Sequence, residues 1–280
     1  AKQMVEEYRG ARKLAKKEQI WVEQISQEIN KWLQTASRSY EVGEAEVWLD
    51  LNLAREGSKG QVMDLAEGEM VVWDQDKGVM LRVGLNKSAG VVGGGEVLQG
   101  GKLVTVMRDK GLVWGDKGIV EVSLTKRTAA IVAEPEGKWG EIVDMKGFSG
   151  NVYLLDKKNN QVWKQAGMEA GLGVAEAWFK SGVNPDLSQA VSMAIDGSVW
   201  ILTSSGKVVK YTRGSPEGFE LVGLDGPLNQ PVGVYTDGDS QRLYILDKGN
   251  KRVVVVDKSG EYQAQYKWEG MGQVTDMVVS

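Results

Sequence analysis

The chain has 280 residues, is 42% hydrophobic and 26% charged, carries a net charge of −4, and contains neither cysteine nor histidine. Without cysteine there is no disulfide and no thiolate metal site; without histidine there is no Ser-His-Asp triad, no histidine base and no histidine-ligated metal. The acidic balance also speaks against nucleic acid as a partner, since phosphate binding needs a concentrated positive field.

Residues 1–38 read as an amphipathic helix. The stretch AKQMVEEYRGARKLAKKEQIWVEQISQEINKWLQTA has no proline and one glycine and is rich in Lys, Glu, Gln and Ala, which favour helix. Met4, Tyr8, Ala11, Ala15, Val22, Ile25, Ile29, Trp32 and Ala36 form a heptad stripe interrupted at Glu18. Such a stripe allows coiled-coil self-association as a stalk. No run reaches the roughly 20 apolar residues of a membrane span, and no signal peptide is visible.

From about residue 46 the pattern changes to strands. Five hairpin-like units begin at Glu69, Gly111, Asn151, Ser198 and Arg242, each a strand, a polar turn and a second strand. Their turns fall near Asp74, Asp116, Asp156, Thr203 and Asp247. A second family of segments precedes the hairpins: QVMDLA, LVTVMR, EIVDMK, AVSMAI, PVGVYT and QVTDMV, with strands near 62, 104, 142, 191, 232 and 274. A period of about 42 residues with several strands in each is the signature of a β-propeller, whose four-stranded blades bury both faces only against their neighbours. The VxDM-like segment is then the innermost strand and the hairpin supplies the next two. A weaker fourth strand, such as EYQAQY or GFELVGL, lies outside. Glycine and asparagine in the turns suit tight hairpins, because both tolerate positive φ.

Six inner strands face only five hairpins. The expected fold is therefore all-β: a six-bladed-type propeller over residues 46–280, its last blade incomplete, preceded by the N-terminal α-helix. AEVWLDLNLA at 45–54 reads as a lone strand that would edge the sixth blade, with its two middle strands belonging to a longer parent. A five-bladed or open ring is the alternative.

LYILDKGNKRVVVVDKSGEYQAQY resembles the NHL repeat, the matching residues being Asp247, Gly249, Asn250, Arg252, Val253, Asp257 and Gly260. The unit at 150–165 matches less well, with Gln161 where the Arg stands, and Thr203 replaces the Asp in another. The charged helix leading into WLDLNLAREGSKG (Trp48–Gly60) and then a divergent propeller resembles the outer half of membrane-anchored bacterial signalling proteins. In those, a cytoplasmic Ser/Thr phosphatase of the 2C class, or a Ser/Thr kinase, is joined by one span to a propeller. That resemblance implies a tethered sensor on the extracytoplasmic face. Lys2, Arg9, Arg12, Lys13, Lys16 and Lys17 pull the other way, because a basic flank prefers the cytoplasmic side of a span.

Recurring turn aspartates could form a ring of cation ligands, but each more simply accepts hydrogen bonds from its own turn. Arg252 has an internal partner in Asp247. DGDSQ at 237–241 lacks the later Glu of a calcium loop, and VVGGGEVLQGG matches no phosphate-binding pattern, so both read as connections. Trp73, Trp114, Trp163 and Trp200 lie inside hairpin strands and read as inter-blade packing. Lys59, Trp139, Asn184 and Gln230 each precede an inner strand, which places them at a mouth of the central channel as candidate ligand-binding residues.

No catalytic residue, metal ligand or cofactor is assigned. The expected function is a non-catalytic module that binds a peptide, glycan or protein. The rival from another class is a metal-dependent hydrolase resembling lactonase propellers; the related streptogramin-lyase chemistry uses a histidine, which this chain lacks. RNA binding, known for some NHL propellers, would need a dense basic face.

Overall fold

The computed structural model describes residues 2–11, 14–135 and 137–280. Five sheets, each built on four antiparallel strands, follow one another along the chain. Blade one comprises Val62–Ala66, Glu69–Asp74, Val79–Val83 and Ala89–Gly93; blade two Gly101–Met107, Lys110–Gly115, Gly118–Ser123 and Ala129–Ala133. Blade three comprises Ile142–Phe148, Asn151–Asp156, Gln161–Ala166 and Glu176–Ala177; blade four Ala190–Ile195, Ser198–Thr203, Val208–Thr212 and Ser215–Glu217. Blade five comprises Pro231–Tyr235, Arg242–Asp247, Arg252–Asp257 and Tyr262–Lys267. The outer strand of blade four is thus Ser215–Glu217 rather than GFELVGL, because Lys210, Tyr211 and Thr212 pair with 215–217 directly across a tight turn.

Each strand alternates its side chains between two neighbouring blades. Val71 and Trp73 pack toward blade two with Val104, Val106 and Val113. Leu112 and Ile119 meet Met145 and Leu154 between blades two and three. Tyr153 and Leu155 meet Met193 and Ile201 between blades three and four. Trp200 and Leu202 meet Leu243 and Ile245 between blades four and five. The hairpin tryptophans therefore serve inter-blade packing, with Trp114 and Trp163 at the edge of the second interface. Two-residue turns such as Glu67-Gly68 (φ +54° and +79°) and Ser149-Gly150 (+48° and +72°) close the inner pair of strands, the paired positive φ values matching the right-handed twist of a hairpin.

The chain forms five complete blades, not six. Val274–Ser280 nevertheless lies where a sixth inner strand would: the Met63 amide donates to the Asp276 carboxylate at 2.8 Å, and Val278 packs on the outer face of blade one. The expected lone strand at 45–54 is a turn of 3-10 helix at Leu51–Leu53 instead, capped by the Asp50 side chain accepting from the Asn52 amide. Leu49, Leu51 and Ala54 cover Met70, Val72, Leu81 and Val83 of blade one. The strand that edges the last blade is Ser39–Glu41, which pairs in parallel with Tyr262–Lys267 and makes blade five five-stranded.

The N-terminal region holds two helices, α1 (Lys2–Ala11) and α2 (Lys16–Ser37), where a single one was expected. They fold back antiparallel: Tyr8 meets Trp21 edge-on at 6.3 Å and Arg9 pairs with Glu23 at 3.4 Å. Glu18 accepts from the Ala15 amide and starts α2 there, at the weakest part of the heptad stripe. Arg12 and Lys13 of the basic flank lie outside the described residues. Neither described helix is long and apolar enough to cross a membrane.

Candidate functional site

Four inner strands carry polar side chains that reach the backbone of the next blade, from two register positions: Asp64 and Thr105 stand opposite Val71 and Leu112 near the strand ends, and Asp144 and Ser192 lie earlier in their strands, opposite Leu155 and Leu202. Asp64 accepts from the Val106 amide at 3.0 Å and the Thr105 hydroxyl at 2.6 Å. The Thr105 hydroxyl accepts from the Gly147 amide at 2.7 Å. Asp144 accepts from the Met193 amide at 2.7 Å and the Ser192 hydroxyl at 3.1 Å, and Ser192 accepts from the Val234 amide at 3.2 Å. Asp276 closes the circle onto Met63. Blade five has Gly233 opposite Leu246, where blades three and four have Asp144 and Ser192, and it offers no side chain for such a bond.

Lys146 stands in the channel inside this ring. Its ammonium is 3.4 Å from Asp64 and 3.9 Å from Asp144. Burial works against that charge, but Asp144, Asp64 and Asp276 together outweigh it and raise the pKa of Lys146. Burial also raises the carboxyl pKa values of Asp144 and Asp276, opposed by Lys146 and by the backbone amides each accepts from. Among the described residues no three carboxylates are grouped to hold a metal ion.

On one side of this plug a cavity of about 700 Å³ opens at the end where inner strands turn into second strands. Leu65, Phe148, Ile195 and Val279 give it apolar walls; Lys146, Tyr235 and Asp237 give it polar ones. The Tyr235 hydroxyl donates to Asp237 at 3.3 Å, and burial followed by the Asp237 charge raises its pKa. The loop DGDSQ forms part of the rim, its turn held by Asp239 and Ser240 amides donating to Asp237.

Lys59, Trp139, Asn184 and Gln230 sit at the opposite end, in the loops that enter the inner strands, and none of them lines the cavity. Lys59, Asn184 and Gln230 are exposed, and Trp139 is half-buried against the interface of blades two and three. Those loops are fixed by the buried strand-end aspartates. Asp74 accepts from the Lys59 amide and, in its own turn, from Lys77. Asp156 accepts from Gly140, Glu141, Asn159 and the Trp163 indole, and Asp247 from Asn229 while pairing with Arg252 at 2.6 Å. Asp116 departs from the pattern: it is exposed and pairs with Lys102. Lys146, Tyr235 and the three channel carboxylates were the residues the sequence reading missed. The signal for them was the Asp shared by QVMDLA, EIVDMK and QVTDMV, with Lys146 two residues beyond it.

A ring of radially stacked four-stranded blades around a plugged channel defines a β-propeller. Solved structures agree on that fold. The nidogen/laminin complex superposes with a TM-score of 0.59 at 8% identity, covering 77% of this chain and 82% of that one. Virginiamycin B lyase from Staphylococcus aureus gives 0.53 at 12% identity, over 78% and 72%. The calcium-binding protein regucalcin from Agrobacterium tumefaciens gives 0.53 at 15%, over 83% and 81%. Such identities carry the fold alone. No family model matches the chain. An ornithine aminotransferase from Halalkalibacterium halodurans is 30% identical over 95 residues; the chain spans about a quarter of its length (24%), and the alignment takes in 32% of this chain.

Proposed function

We propose that the chain is a non-catalytic binding propeller that takes a peptide, glycan or protein ligand in the cavity beside Lys146. The ring has six positions, the last represented by Val274–Ser280. The observation that carries the reading is the Lys146 ammonium itself. It lies against Asp64 and Asp144 and is also attracted by the Asp276 charge, so the channel's carboxylates are committed to an internal charge. That disfavours the rival metal-dependent lactonase-like reading, although regucalcin shares the fold. A concave site with apolar walls and few convergent polar groups is the ordinary form of a ligand pocket. The setting we propose is the sensing part of a larger membrane-tethered signalling protein, supported by the Trp48–Gly60 stretch and the helix-then-propeller layout.

The test is to probe peptide and glycan arrays with the protein and with Val279→Trp, which adds an indole to the cavity wall. The expected result is capture of a ligand that Val279→Trp abolishes without changing the circular dichroism spectrum, and recovery of that ligand unaltered after incubation with calcium or magnesium. Capture indifferent to Val279→Trp would remove the cavity from the reading, and conversion of the ligand would make the chain an enzyme.

A further inference from the structure

The cavity beside Lys146 is sorted by charge as well as by polarity. Its walls Leu65, Phe148, Ile195 and Tyr235 come from blades one, three, four and five, each a complete four-stranded unit. Among the described residues that line it, Lys146 is the only basic side chain, against the acids Asp64, Glu67, Asp237 and Asp239. The Lys146 charge is already opposed, with Asp64 at 3.4 Å and Asp144 at 3.9 Å from its ammonium. Glu67, Asp237 and Asp239 have no ammonium or guanidinium partner among the described residues. Asp237 is held instead by neutral donors, the Tyr235 hydroxyl and the Asp239 and Ser240 amides, which leave its charge uncompensated.

The surroundings repeat this sorting. The turns between first and second strands, which ring the channel, carry Glu67, Asp237 and Asp239. In the same set of turns Arg108 and Asp109 of blade two offset each other, and Asp196 of blade four pairs with Lys258 at 2.7 Å. The turns between third and fourth strands, farther from the axis, carry Lys87, Lys126, Arg127 and Arg213, and none of these lines the cavity. An anionic ligand drawn to Lys146 would therefore meet two carboxylates that already neutralise it, and then the acidic rim. A cation meets only unpaired carboxylates there.

Resting on the binding reading above, we propose that the cavity recognises an arginine or lysine side chain of a peptide, flanked by apolar residues. The methylene stem of such a side chain lies along Leu65, Phe148 and Ile195 while its charged head stays at the rim with Asp237 and Glu67. Arginine suits the rim best, because its five N–H donors can serve two carboxylates at once. The uncompensated negative charge also steers a cationic partner toward the mouth.

The test is an array of pentapeptides with Arg, Lys, Gln or Glu at the centre and every combination of apolar residues around it, probed with the full chain and with Val279→Trp. Arg and Lys members should bind, Glu members should not, and Val279→Trp should abolish the signal. In solution, Asp237→Asn should weaken the best Arg peptide by about tenfold or more and leave its Gln counterpart unchanged. The asparagine keeps an oxygen for the Asp239 and Ser240 amides; should that variant fail to fold, Glu67→Gln, in an exposed turn, carries the same expectation. Spermidine, a cation without apolar neighbours, should not displace the peptide at equal concentration. Gln or Glu members that bind as well as Arg members, and are lost with Val279→Trp, would keep the cavity as a binding site and overturn its preference for a cation. Displacement by spermidine at equal concentration would overturn the peptide, since charge alone would then suffice. An array with no bound member would overturn both this proposal and the peptide reading on which it rests.

Discussion

Replacing Lys146 by Met removes the positive charge from a channel that keeps Asp64, Asp144 and Asp276. With an effective dielectric of about 20, unit charges at the 3.4 Å and 3.9 Å separations attract by roughly 5 and 4 kcal/mol, from 332/(20 × 3.4) and 332/(20 × 3.9). Much of that offsets the desolvation of the ions, and removing one partner from a buried pair costs about 3–5 kcal/mol net. Urea unfolding at pH 7.5 should therefore show Lys146→Met destabilised by about 3–5 kcal/mol. The deficit depends on pH. Asp144 and Asp276 already have folded pKa values above their unfolded ones. Proton uptake by the folded state thus stabilises it fully below the unfolded pKa, and that contribution fades as pH rises through the folded pKa. Loss of Lys146 raises both folded values further, so protonation rescues the variant at higher pH, and its deficit should shrink between pH 7.5 and pH 5. A pH-independent deficit, or one under about 1 kcal/mol, would refute the description of Lys146 as the counter-ion of the channel.

Asp247→Ala leaves the buried Arg252 paired with the exposed Asp225 but without its fully buried carboxylate partner, and the Asn229 amide without an acceptor; a loss of about 3–5 kcal/mol in urea unfolding is expected. Asp156→Asn keeps the shape but faces an amide group toward amide and indole donors, for a loss of about 2–4 kcal/mol at pH 7. Although burial alone would raise it, the Asp156 pKa is lowered by donors from Trp163, Gly140 and Asn159. Its contribution is present above the unfolded value near 3.8 and fades as pH falls through the lower folded one, so parent and variant should converge in acid. Gly118→Ala puts a Cβ 2.1 Å from the Ala133 carbonyl oxygen at φ +87° and should cost about 1–3 kcal/mol or more, while Gly238→Ala, with nothing within 4 Å, should stay within about 0.5 kcal/mol of the parent.

The repeat was legible because each strand obeys local rules: LYILD, a turn rich in Gly and Asn, and VVVV specify a hairpin with no information from elsewhere. The inner strands were legible too, since their V-x-D spacing recurs. The helix break at Leu14–Ala15 was not, because Lys, Glu and Ala favour helix on both sides and the folding back is held by contacts between the helices, such as Tyr8 on Trp21 and Arg9 with Glu23. AEVWLDLNLA alternates like a strand, yet Leu49 and Leu51 are satisfied by lying on blade one rather than by pairing. The cavity at the other channel end was not legible for a similar reason. Loops entering the inner strands look like natural sites for a ligand, but buried Asp74, Asp156 and Asp247 tie them down, and the open volume lies at the other end.

The hydrogen bonds that link one inner strand to the next are accepted from main-chain amides, and an amide is the same whatever side chain accompanies it. A blade linked in this way needs only a backbone N–H to donate and an Asp, Thr or Ser to accept. Proline is the one residue barred from the donating position, because it has no N–H. A ring held in this way tolerates wide drift in the remaining residues of every blade. That is a physical route to a chain in which a single unit keeps a clear repeat signature while its four companions share the architecture and little of the wording.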